Sequence, residues 1–173
     1  YVYANNAVRV AKSLEDAELQ AAATYTRGCT KLEWGLFGTT QQGIFQIDRG
    51  KAKDALRDFQ AILQKTGIQQ EGIQPQLQGF TMLQLSRAQS FFRQSIHESV
   101  SANTLLLADQ AAEKVGRNTI DDPYTRIIMT GTVSGLHAGG YHLIKAGIFN
   151  AAGFPGKAIA ELQDLKKLTE RTY

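Results

Sequence analysis

Only one cysteine, Cys29, occurs in the chain. That excludes an intrachain disulfide framework and leaves at most one ligand for a thiolate-based metal site, so Cys29 reads as a small buried helix residue. Proline is nearly as scarce. Pro75, Pro123 and Pro155 are the three examples, and each lies where a helix would begin rather than in a helix interior. No uncharged apolar run reaches the roughly 18 residues that a membrane-spanning helix needs, so membrane insertion is not expected. Alternating β-branched runs are also missing, which argues against a sheet as the main architecture.

Neither sign of charge dominates. Lys and Arg together number 19 against 16 acidic residues, a formal net charge of +3. Arg9, Lys12, Arg27 and Lys31 alternate with Glu15, Asp16, Glu18 and Glu33, and the mixing recurs at Lys51, Lys53, Asp54, Arg57 and Asp58. A nucleic-acid stripe would be more one-sided, so no nucleic-acid partner is expected despite a sequence pI of 9.0.

Catalytic signatures are absent too. His97, His137 and His142 are dispersed, and neither HESVS nor HAGGYH is the HExxH of a zinc helix. Ser134 in TVSG lacks the GxSxG setting, and Cys29 has no histidine beside it. The glycines from Gly135 to Gly140 follow no strand-forming run, so they are not a dinucleotide loop. No cofactor and no metal are called for, and an enzyme is the least supported class. The chain begins Tyr-Val-Tyr without an initiator Met and shows no signal or transit segment; a processed form and an excised domain both fit, and the compartment stays open.

What the sequence has in quantity is helical periodicity. Three long tracts, Asn5–Phe37, Gln76–Val115 and Pro123–Phe149, and two shorter ones, Lys51–Lys65 and Lys157–Thr169, carry apolar residues at three- and four-residue spacing. They predict an all-α fold, an antiparallel helical bundle with three long and two shorter helices, as a single domain over 1–173. In the first tract Val10, Leu14, Ala17, Ala21, Thr24, Gly28 and Leu32 form the expected seam, with Gly28 as its weak point. Trp34, Leu36 and Phe37 read as a plug at its end, and the glycine-rich stretch from Gly38 to Gly50 as a loop with a short helical turn. In the second tract Leu85, Ala88, Phe92, Ile96, Val100, Asn103, Leu107 and Ala111 make a nearly continuous stripe. Gly153 and Pro155 mark the end of the third tract and the start of the last helix.

The third tract holds the most distinctive pattern. Gly131, Gly135 and Gly139 lie four apart on one helix face. Each interior glycine costs about 1 kcal/mol relative to alanine, so the file predicts close packing against another helix backbone. A second pattern is polar. Ser95, Ser99 and Asn103 follow one another at four-residue spacing, and with His142 they are the candidate lining of a ligand pocket between helices; the alternative is close packing with hydroxyls bonded to the preceding turn. GKAIAELQDLKKL from Gly156 echoes RGKAKDALRDFQAIL from Arg49, and the latter partly resembles the second half of a tetratricopeptide repeat. The echo is incomplete and the spacing does not divide into 34-residue units, so two ordinary amphipathic helices are the expectation.

Two function classes follow. The first is a helical structural or protein–protein interaction module within a larger assembly, its partner another protein or another copy of itself. The second is a small-molecule-binding sensor or carrier domain with a polar pocket between helices.

Overall fold

The computed structural model describes residues 2–37, 39–41, 44–46, 48–66, 75–95, 100–115 and 138–170. It confirms an all-α bundle but divides the helices differently. Seven helices of varied length are present among the described residues: α1 (Val2–Ser13), α2 (Ala17–Phe37), α3 (Arg49–Thr66), α4 (Pro75–Ser95), α5 (Ala102–Val115), α6 (Ala138–Ala151) and α7 (Pro155–Glu170). The expected division into three long and two short helices is therefore corrected.

Both corrections within the long tracts have local causes. The first tract breaks at Glu15, which takes a left-handed backbone with φ of 54°. Asp16 then caps the new helix, its Oδ1 accepting the Leu19 N–H at 2.9 Å. The break shifts the helical phase. Val8 and Ala11 turn inward to Ala23, while Val10 and Leu14, expected in the seam, are 54% and 61% exposed. The second tract ends its first helix at Ser95 and restarts at Ala102. Ser101 caps the restart, its hydroxyl accepting the Thr104 N–H at 3.3 Å.

The chain forms two compact units, Tyr1–Gln74 and Pro75–Tyr173. In the first, α2 and α3 form an antiparallel helical hairpin: position 35 of α2 lies against 52 of α3, and 28 against 59. Gly28 does not interrupt α2. A Cβ there would come within 2.7 Å of the Phe59 ring, so the missing side chain is what lets Phe59 seat fully buried. At Gly35 the helices approach more closely still, a Cβ meeting the backbone N of Ala52 and the carbonyl of Asp48 at 3.0 Å each. Between these contacts Asp58 receives Arg27 through two bonds, at 3.0 and 2.6 Å, and Lys31 at 2.7 Å. The two fully or nearly buried members, Asp58 and Lys31, are thereby paired.

Between α2 and α3, strand β1 (Thr39–Gln41) pairs antiparallel with β2 (Ile44–Gln46), Thr40 opposite Phe45. This hairpin replaces the expected loop and helical turn. Thr-Thr and Ile-Phe supply β-branched and aromatic residues that suit a short strand pair better than a helix.

In the second unit α4 packs on α5 and α6, and α6 and α7 form another antiparallel hairpin. Its turn has the Schellman pattern: the Phe154 N–H donates to the Phe149 carbonyl at 2.9 Å and the Gly153 N–H to Asn150 at 3.1 Å. Gly153 has φ of 80°, which a side chain would disfavour. Pro155 opens α7 directly afterwards, as the sequence indicates. Ala146, Phe149 and Ala158 close the hairpin, with Leu105 of α5 packed against them. The sequence echo thus has a structural counterpart: α3 and α7 are each the second helix of a hairpin, and Ala52, Ala55 and Ala158 are their buried small residues.

Candidate functional site

The densest partly buried group of ionisable side chains among the described residues lies where α5, α6 and α7 meet. One turn of α6 places Tyr141, His142 and Lys145 at three- and four-residue spacing, so all three reach a common region. From α7, Glu161 spans the pair: its Oε2 lies 2.8 Å from His142 Nδ1 and its Oε1 lies 3.2 Å from Lys145 Nζ. Lys145 also reaches Asp109 of α5 at 3.4 Å. The His142, Lys145 and Glu161 side chains are only 9%, 13% and 14% exposed, so solvent screens these contacts weakly.

Each shift in proton affinity is a balance. Burial alone would raise the Glu161 carboxyl, but the hydrogen bond from His142 and the Lys145 ammonium outweigh it and hold the group below its ordinary 4.5. Burial would depress Lys145; the Tyr141 phenol, Glu161 and Asp109 together lift it above its ordinary 10.5. Tyr141 is pushed above its ordinary 10.0 by burial, against the pull of the Lys145 ammonium. Its hydroxyl is buried, and among the described residues its polar neighbour is the Lys145 ammonium, with which it makes no well-formed hydrogen bond. Edge-on packing of the Tyr141 and His142 rings, with centroids 5.4 Å apart, fixes both planes.

The residues nominated from sequence are distributed differently. Ser95 is the last residue of α4, with its side chain outside the described set, and Ser99 lies outside the described residues altogether. Asn103 is exposed in the first turn of α5. His142 is buried, and its recorded polar partner is Glu161. Gly131 and Gly135 lie outside the described residues, while Gly139 falls in the first turn of α6.

Buried hydroxyls do occur in α4 and α5, at positions other than those expected. Ser86 donates to the Thr104 carbonyl at 2.7 Å, and Thr104 donates to Gln89 Oε1 at 3.0 Å. Ser90 bonds back to the Ser86 carbonyl and Thr81 to that of Leu77. The first two bonds join α4 to α5, and the last two bond hydroxyls to the preceding turn of α4. Tyr141 and Lys145 were not nominated from the sequence, although their four-residue spacing beside His142 is a signal that could have found them. Glu161, nineteen residues beyond His142, had no local signal linking it to them.

No group of three or more His, Cys, Asp and Glu side chains able to hold a metal occurs among the described residues. No described helix is long and apolar enough to cross a membrane. Comparisons with protein families, curated proteins and solved structures found no match.

Proposed function

We propose that the chain is a helical structural or protein–protein interaction module within a larger assembly. The observation that carries this reading is the outward flank of α1. Tyr3, Val10 and Leu14 follow at helical spacing and are 89%, 54% and 61% exposed, beside the covered face formed by Val8 and Ala11. The apolar sector of α1 is thus wider than its contact with α2, as expected of a helix with a second neighbour. Ile159 and Leu162, at 55% and 44%, give α7 a smaller flank of the same kind. Sedimentation of the wild type and of a Val10→Ser/Leu14→Ser variant with isolated partner tests the reading; loss of association in the variant supports it.

Two companion expectations belong to this reading. Residues 1–173 act as one folding domain, and limited proteolysis yielding two independently folding fragments would contradict that. The Gly131, Gly135 and Gly139 file serves close packing, so Gly135→Leu should be clearly destabilising while Gly140→Leu is better tolerated.

A second reading, a small-molecule sensor or carrier, draws on the Tyr141 hydroxyl. A buried phenol whose polar neighbour among the described residues is the Lys145 ammonium suits a small polar ligand that accepts a hydrogen bond from it. Ligand screening by thermal shift, repeated on Tyr141→Phe, tests it.

A further inference from the structure

Within the second unit α7 is held by charge more than by apolar burial. Ala158 is its one buried side chain among those described and Leu165 is half-buried, while Ile159 and Leu162 face outward. By contrast α4 buries Leu77, Phe80, Leu83 and Leu85. Near the turn α7 is seated by Ala158 against Ala146 and Phe149, and by the Lys157 ammonium 5.2 Å from the centre of the Phe149 ring. Farther along, the polar crossing from α7 to α6 is Glu161, which takes His142 through one oxygen and Lys145 through the other. The pairs Lys167–Asp164 and Lys166–Glu170 lie within α7 and give no hold on α6.

We propose that acid releases α7 from α6 while α4, α5 and α6 stay folded, uncovering the apolar side of α6 at Ala146 and Phe149. A proton on Glu161 cancels the charge to which both α6 side chains are bonded, and the two contacts lose their charge assistance. Lys145 then keeps Asp109, at 3.4 Å, which ties it to α5 rather than to α7. The titratable groups at this junction are Tyr141, His142 and Lys145 from α6, Asp109 from α5, and Asp164 from α7 itself, which His142 influences. Although α4 also packs on α6, its cations Arg87 and Arg93 are not among the groups acting most strongly on Glu161. The direction follows from the folded carboxyl lying below its ordinary 4.5: the hold is present above that value and is lost as pH falls through the folded one. What then remains for a helix of 16 residues is chiefly its seat at the turn. No residue of this latch belongs to the outward flank of α1, so the two readings stand apart.

Hydrogen–deuterium exchange of the whole chain, read segment by segment and corrected for the intrinsic pH dependence of exchange, tests this. As pH falls below about 4.5, protection of the α7 amides should drop about tenfold while α4, α5 and α6 keep theirs. Glu161→Gln should show the same loss already at neutral pH. Glu170→Gln, which removes an ion pair internal to α7, should not. Circular dichroism checks that both variants fold; should Glu161→Gln unfold altogether, the wild-type acid series decides. Loss of α7 protection only together with that of α4 and α6 would overturn the proposal. So would α7 protection indifferent to acid, or a folded Glu161→Gln chain exchanging like the wild type.

Discussion

His142 and Glu161 face each other at 2.8 Å across the α6–α7 hairpin, and the same carboxylate holds Lys145 through its other oxygen. One acidic side chain therefore joins two groups of the preceding helix. Glu161→Gln should lower stability by about 1–3 kcal/mol, since it weakens charge-assisted bonds in a weakly solvated setting. Urea unfolding at neutral pH measures this.

The pH dependence of that loss has a definite sign. Because the folded-state carboxyl of Glu161 lies below its ordinary 4.5, its contribution is complete above that value and is lost as pH falls through the lower folded value. The stability difference between wild type and Glu161→Gln should therefore shrink as pH falls below about 4.5. Unfolding curves collected across this range check it; a difference that grew on acidification would contradict the assignment.

Gly28 and Gly35 in the first unit should respond unlike Gly147 of α6. Gly28→Ala would drive a methyl against the buried Phe59 ring, and Gly35→Ala would drive one against the α3 backbone. Each should cost about 1–3 kcal/mol by overpacking. At Gly147 a Cβ meets nothing within 4 Å, so Gly147→Ala should gain up to about 1 kcal/mol from helix propensity alone. Thermal melts of the three variants separate the cases.

Asp58→Asn should be among the most disruptive single changes. It leaves the cations of Arg27 and Lys31 without their shared carboxylate, with Lys31 only 8% exposed. A loss of about 3–5 kcal/mol is expected from breaking a buried pair on one side. Chemical denaturation reads it directly.

The sequence conveys the helical class and several helix ends for identifiable reasons. Gly153 and Pro155 are strong local signals, and the turn they form is the one the structure contains. The α3 boundaries agree within two residues because its apolar face is unambiguous. The break at Glu15 is harder to read, since neither glycine nor proline marks it; the signal is Asp16, three residues before the Leu19 N–H that it caps. The interruption after Ser95 is similar, with Ser101 as the cap. Periodicity ran through both places because apolar residues happen to continue the spacing on either side.

Site geometry was less legible than fold. His142 could be nominated, but its partner Glu161 is set by how α7 folds back, a tertiary relationship without a local pattern. Charge behaved likewise. Asp54 and Asp58 lie in one helix, yet one faces solvent beside Arg57 and the other closes the α2–α3 contact, and only helix phase relative to a neighbour distinguishes them.

The central claim, that the chain works inside a larger assembly through the outward flank of α1, is tested most directly by native mass spectrometry of the protein isolated with its natural partners. The wild type should appear in complexes heavier than its own 19.0 kDa, containing a second protein or further copies of itself, and a folded Val10→Ser/Leu14→Ser variant should lose them. A wild-type chain found only at its own mass would contradict the claim, as would complexes that survive both substitutions unchanged.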